Sequence, residues 1–190
     1  MNDFITKEMI MSLEETKKIF LFSDPHFDHT NIIKYCHRPF SSVEQMNEKL
    51  LSNWKSTITK NDAVIFLGDM AFGKNCREPR WWLTQLPFKD MIYIRGSHDH
   101  GIQHNPDVSD SIEVLDSLIL RVENMKLLLS HQPLYWNGLN IHGHLHNNSK
   151  PFIYKSGDGV KINISCELTN YTPLTLFQCI EACDKITNIM

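Results

Sequence analysis

Five short stretches of this 190-residue chain set Asp or His side by side with Gly or Ser: Ser23-Asp24-Pro25-His26, Gly68-Asp69, Gly96-Ser97-His98-Asp99, Ser130-His131 and His142-Gly143-His144-Leu145-His146. Asp24, His26, Asp69, His131, His144 and His146 offer carboxylate and imidazole donors with no thiolate among them. A mixed oxygen–nitrogen set suits Mn²⁺, Fe, Zn²⁺ or Ni²⁺ and is too rich in imidazole for Ca²⁺ or Mg²⁺ alone. The donors outnumber what one ion can use. Two ions about 3.5–4 Å apart, sharing one carboxylate, would use them, and such pairs catalyse in-line displacement at phosphorus.

What positions these residues is also written in the chain. Each stretch closely follows an apolar run: Ile19-Phe20-Leu21-Phe22, Val64-Ile65-Phe66-Leu67, Met91-Ile92-Tyr93-Ile94, Leu127-Leu128-Leu129 and Leu139-Asn140-Ile141. Most of these runs lack polar alternation, the habit of strands buried on both faces. In α/β sheets the carboxyl ends of strands are where ligands bind. Val43, Met46, Leu50, Trp54 and Ile58 recur at helical spacing, so a helix is expected over 43–58, with Ser41 and Glu44 as its capping box. A shorter helix is expected over 80–86, stopped by Pro87, a hairpin over 118–129 turning at Glu123-Asn124, a strand over 161–165 and a closing helix over 176–186. The expectation is an α/β fold with mixed sheets, in one domain spanning 1–190.

Composition narrows the class. Hydrophobic residues make up 42% and charged residues 22%, an ordinary globular mix that excludes a disordered tail or a collagen-like fibre. No segment recurs at a fixed period, which excludes a solenoid. The ten histidines exceed the eight glycines and eight prolines, and they carry the chemistry. A net charge of −3 gives no general basic field to hold long nucleic acid. No apolar run approaches the roughly 18–20 residues of a membrane span, and the charged N-terminal stretch lacks the order of a signal peptide. The five scattered cysteines, Cys36, Cys76, Cys166, Cys179 and Cys183, read as free thiols, and the expected location is cytoplasmic.

Taken in order, Asp24-x-His26, Gly68-Asp69, Gly96-x-His98-Asp99, Ser130-His131 and Gly143-His144-x-His146 resemble the five motifs of calcineurin-like metallophosphoesterases. The match runs from about residue 19 to 146, and Asn163…Tyr171-x-Pro173 is similar to the family's end. The resemblance implies two stacked mixed β-sheets flanked by helices, a four-layer α-β-β-α sandwich with metals at one sheet edge. It also implies roles. Asp24, His26 and His146 would hold one divalent ion, His131 and His144 the other, and Asp69 would bridge them; Mn²⁺ leads, with Fe, Zn²⁺ and Ni²⁺ as the other candidates. A hydroxide shared by the ions would attack phosphorus, His98 would serve the leaving oxygen, and Asp99 would hold the His98 imidazole.

One position departs from the family pattern. Where the family has a metal-ligating Asn between Gly and His, this chain has Ser97, whose neutral hydroxyl is a poorer and shorter ligand. A natural variant with water filling the gap, an engineered change and a weakened family member are the three readings. Asp99, where the resemblance to phosphoprotein phosphatases would want Glu, and the absence of a second Asp after Gly68-Asp69 favour a diesterase over a protein phosphatase, with a small phosphodiester of nucleotide or cyclic-nucleotide type as substrate ahead of long nucleic acid. A phosphomonoesterase and a scaffold protein that keeps the fold are the alternatives. His142, two residues before His144, suits support of the ligands better than ligation. His29 either meets substrate or caps or packs at the start of a helix; His37, His100 and His104 are expected on the surface or in loops, with His100 the first candidate among them to line the cleft. Arg77, among Lys74, Arg80, Trp81 and Trp82, either clamps phosphate or belongs to an amphipathic helix whose tryptophans are in the core.

Overall fold

The alternation of doubly apolar runs with one long amphipathic helix produces two β-sheets, seen in a computed structural model that describes residues 5–99, 102, 110–148, 150–157 and 159–187. The elements in chain order are β1 (Thr6–Met11), α1 (Leu13–Thr16), β2 (Ile19–Phe22), α2 (Thr30–Tyr35), α3 (Val43–Thr57), β3 (Ala63–Phe66), α4 (Pro79–Leu83), β4 (Asp90–Ile94), β5 (Ile112–Leu115), β6 (Ser117–Val122), β7 (Met125–Ser130), β8 (Leu139–His142), β9 (Ile153–Ser156), β10 (Gly159–Asn163), a 3-10 turn (Cys166–Thr169), β11 (Leu174–Thr175) and α5 (Leu176–Thr187). One sheet has the order β11-β2-β3-β4-β5 and the other β1-β6-β7-β8-β10-β9. Both are mixed: β2, β3, β4 and β5 run parallel, as do β7, β8 and β10, while β11, β9 and the β6–β7 hairpin supply antiparallel pairs.

The absence of polar alternation in the apolar runs is explained by what each face meets. Phe22, Val64, Phe66, Met91 and Tyr93 point to one side, where they join Met46, Leu50 and Trp54 of α3 and Trp82 of α4. Leu21, Ile65, Leu67 and Ile94 point to the other, where they meet Leu118, Leu120, Leu127, Leu129, Ile141 and Ile162 of the second sheet. A strand with helices on one face and a sheet on the other has no side left for solvent, so it is apolar at every position. The α5 residues Leu176, Cys179 and Ile180 complete the core between the sheets.

Local differences from the expected elements have local causes. The α3 helix is capped by Ser42, extended at φ −148°, which accepts from the Gln45 amide at 3.2 Å, so the cap lies one residue later than a Ser41–Glu44 box would place it. The α4 helix starts at Pro79, a favoured first-turn position, and residues 84–86 tighten into i→i−3 turns before Pro87. The last strand of the second sheet leaves its ladder at Asn163, whose side chain turns to the His146 carbonyl at 2.8 Å and the Ser165 hydroxyl at 2.8 Å. Among the described residues no helix is long and apolar enough to cross a membrane, and all five cysteines are free. His100 and His104 lie outside the described residues.

Candidate metal centre

The parallel strands β2, β3, β4, β7 and β8 end at one shared edge, and their continuing loops are laced together by the backbone. Asp24 N donates to Gly68 O at 3.0 Å, His26 N to Asp69 O at 3.2 Å, and Gly143 N to His131 O at 3.0 Å. The glycines of the motifs are where these loops come too close for a side chain. A Cβ on Gly96 would lie 2.2 Å from Asp69 Oδ1, and one on Gly143 2.0 Å from Ser23 Oγ and 2.2 Å from Asp24 Oδ2. Asp24, His26, Asp69, His144 and His146 all have positive φ, between 49° and 67°. Non-glycine residues rarely occupy this left-handed region, and its cost of order 1–3 kcal/mol each persists only where the surroundings hold it. Here the lacing holds it, and the side chains turn inward.

They turn into two groups. Asp24, His26 and His146 offer ligand atoms within 4.8 Å of one another, and so do Asp69, His131 and His144. The Asp69 Oδ2 oxygen stands between the groups, 3.4 Å from His26 Nε2 and 3.4 Å from His131 Nε2. Its other oxygen accepts from the His98 amide at 2.8 Å.

These donors fit divalent cations on their own chemistry. His26 is buried, and neither of its ring nitrogens has a hydrogen-bond partner, although an unpartnered buried polar atom costs about 1–3 kcal/mol. Burial, ahead of the other influences on it, pushes His26 well below its usual pKa, so the ring is neutral with a free lone pair. His131 uses Nδ1 on the Leu67 carbonyl at 2.8 Å, and His146 uses Nδ1 on Glu167 at 3.0 Å. Such contacts fix the tautomer and leave Nε2 as the ligating atom. His144 is placed by its amide, which donates to both Asp24 oxygens at 3.1 and 3.0 Å, and its Nδ1 lies 3.2 Å from His131 Nε2.

The first of these groups rests on residues that neither the spacing nor the resemblance indicated. Arg38 and Glu167 form a buried ion pair at 2.7 Å beneath Asp24 and His146. Burial would raise the Glu167 carboxyl, but the His146 hydrogen bond and the Arg38 charge hold it down at about 2. Cys36, His146 and Glu167 also lie close together, yet Arg38 already neutralises that carboxylate at 2.7 and 2.9 Å.

The remaining expected residues divide. His98 is half-buried beside the centre, its ring 4.0 Å from Phe72 and 5.5 Å from His26 between centroids. Asp99 does not hold its imidazole, contrary to the expectation. The Asp99 oxygens accept instead from the amides of Asp69 at 2.8 Å, Met70 at 3.1 Å and Gly96 at 2.7 Å, so this carboxylate fastens the second and third loops together. Burial and then the Asp69 charge raise its pKa. Ser97 Oγ faces the Gln132 side-chain amide at 3.4 Å.

His142 has both nitrogens engaged, Nδ1 with the Gly143 carbonyl at 2.7 Å and Nε2 with the Tyr154 hydroxyl at 2.9 Å, so it braces the last loop and has no lone pair left for an ion. His29 precedes α2 but makes no capping hydrogen bond; its ring packs edge-on to Phe72 at 4.9 Å. Arg77 is held by Asp28, with Nε and Nη2 at 2.9 and 2.6 Å from the carboxylate, and its guanidinium lies 4.3 Å from both the Trp81 and Trp82 rings. Trp82 is core, stacked 4.0 Å from Phe27, whereas Trp81 is exposed.

Comparison with known proteins identifies the family. The calcineurin-like phosphoesterase family profile matches residues 17–178. The chain is 37% identical over 177 residues to an uncharacterized protein of Methanocaldococcus jannaschii, covering 89% of this chain and 93% of that one. A protein of unknown function from Aquifex aeolicus has the same fold at a TM-score of 0.67 and 25% identity, covering 88% of this chain and 98% of that one. With a profile match across most of its length and the family's sheet pair beneath the five motifs, the chain is a member of the calcineurin-like phosphoesterase family.

Proposed function

We propose that this protein is a two-metal phosphodiesterase acting on a small phosphodiester of nucleotide or cyclic-nucleotide type. The observation that carries the reading is the place of Asp69, whose single Oδ2 oxygen is 3.4 Å from a histidine of each ligand group. Asp24, His26 and His146 would hold one ion and His131 and His144 the other, with Asp69 shared. When bound, two such ions supply Lewis acidity toward phosphoryl oxygens and make water acidic enough to ionise near neutral pH.

The chain's own residues do the rest. Asp99 and the left-handed loops hold Asp69 and Asp24 in place before substrate arrives, so little reorganisation is needed at the moment of reaction. His98, whose ring lies 4.0 Å from Phe72 and 5.5 Å from His26, would be the group that protonates a departing oxygen. Hydrolysis consumes one water: its oxygen bonds to phosphorus, the ester P–O bond breaks, and the leaving oxygen takes up a proton that His98 can give. The net charge of −3 and the Arg77–Asp28 pairing leave a short substrate favoured over long nucleic acid. The free thiols fit a reducing compartment such as the cytoplasm.

The test is hydrolysis of bis-p-nitrophenyl phosphate against mono-p-nitrophenyl phosphate, with and without Mn²⁺. The reading expects Mn²⁺-dependent release from the diester at the higher rate. A monoester preference would favour a phosphomonoesterase, and silence on both with bound metal would favour a scaffold role.

A further inference from the structure

The two ligand groups are not equally supported, and the difference lies in Arg38 and Glu167. These residues are 129 apart in sequence, and their side chains are 0% and 2% exposed. Glu167 Oε1 accepts from Arg38 Nε at 2.9 Å and lies 2.7 Å from Nη2, and the same carboxylate lies 3.0 and 3.2 Å from His146 Nδ1. Nη2 also donates to the backbone carbonyl of Asp24 at 2.8 Å, and Nη1 to that of Pro25 at 2.7 Å. One planar cation therefore ties the Asp24–His26 loop to the carboxylate that orients His146. Only a guanidinium presents enough donors in one plane to make all these contacts together.

Among the described residues the second group has no buried charge pair behind it: its His131 Nδ1 meets the neutral Leu67 carbonyl at 2.8 Å. Its His144 ring faces the His131 ring rather than a carboxylate, at 3.2 Å. Ser97 adds no amide oxygen there, and its hydroxyl is 3.4 Å from Gln132.

We propose that the buried Arg38–Glu167 pair is the positioning device of the Asp24–His26–His146 group, making it the tighter of the two metal sites, so that the two ions bind in sequence and the Asp69–His131–His144 site fills second. A buried ion pair contributes little net stability, because desolvation offsets its attraction, but it fixes geometry. Carboxylates behind ligating histidines typically change metal affinity by about 10–100-fold when removed. Arg38 and Glu167 touch no substrate in this account; they act through His146 and the Asp24 loop.

The proposal rests on the two-ion reading, and one experiment separates the two. The chelator-stripped full chain is titrated with Mn²⁺ by calorimetry, alongside Glu167→Gln and Arg38→Lys, with circular dichroism melting of each metal-free form. Two resolved binding steps are expected for the unaltered protein. Each variant is expected to weaken the tighter step by about 10–100-fold and leave the weaker step in place. Unchanged steps, an equal loss at both, or a loss confined to the weaker step would overturn the positioning role while sparing the two-ion reading. No Mn²⁺ binding by the unaltered chain would sink that reading itself. Arg38→Lys keeps the charge and Glu167→Gln keeps the shape, so one folded variant suffices; collapse of both metal-free folds would overturn the proposal, since the pair would then be supporting the core.

Discussion

Ser97 is the residue on which the second ligand group turns. Its hydroxyl meets Gln132 at 3.4 Å, and no longer side chain projects from that position toward His131 and His144. An Asn there would bring a carbonyl oxygen about one bond further out. Ser97→Asn is therefore expected to tighten the weaker Mn²⁺ step by about 10-fold and to raise diester turnover with it; equal affinity and equal turnover in both forms would show the position to be indifferent.

Protons compete with metal at the same residues. Burial disfavours charge on His131 and His146, but the Asp69 hydrogen bond lifts His131 to about 9, and contacts with Cys36 and Glu167 lift His146 to about 10. Both rings are then protonated in the metal-free protein at pH 7. Since their folded values lie above the unfolded 6.5, they stabilise the metal-free fold fully below pH 6.5, and that contribution is lost as pH rises through about 9 to 10. Metal must displace these protons, so affinity should rise with pH and binding should release protons near neutrality. Calorimetry in two buffers of different ionisation enthalpy would read that release directly, and a buffer-independent heat would contradict it.

Strand ends, rather than strands, are the elements that make the site. The apolar runs and the Asp or His that follow them are visible in sequence because both faces of each strand are buried and because turn chemistry alone does not select histidine at one strand end after another. The motif glycines acquire a reason only in three dimensions. Gly96 and Gly143 sit against Asp69 and Asp24, where an added Cβ would approach to 2.2 Å. Gly96→Ala is expected to push Asp69 aside and cost about 1–3 kcal/mol by overpacking, a fall of roughly 2–10 °C in melting temperature, with metal binding lost more completely than the fold. Retention of both would mean that the loops are more yielding than their hydrogen bonds suggest. The neighbouring Asp99 shows where the resemblance misleads: it implied a partner for the His98 ring, whereas the turn directs the carboxylate back onto three amides.

Across the whole molecule, what the sequence conveyed and what it hid follow from the range of the contacts. Residues next to an apolar run announce themselves. Arg38 and Glu167 do not, because nothing local marks two ordinary charged residues that meet only when the sheets stack. The β1 strand was equally silent, since Lys7 and Glu8 interrupt it and its pairing with β6 reaches more than a hundred residues along the chain. Its burial alternates along the strand, as a sheet-edge strand with one face open would have it.

The two sheets meet at the edge that carries both ligand groups, so bound metal should stiffen their junction. Chelation is expected to lower the melting temperature, because a ligand that binds only the folded state stabilises it by mass action. Identical melting with and without Mn²⁺ would argue for a scaffold.

Asp69 is the point where the two groups join, and the most direct test removes only its charge. Metal content per chain after Mn²⁺ loading and gel filtration, measured by mass spectrometry on the unaltered protein and on Asp69→Asn, decides the matter. Two ions in the former and at most one in the latter, with diester turnover down by about 100-fold or more, is the predicted result. Two ions retained in Asp69→Asn with turnover intact, or none in the unaltered protein, would contradict the account.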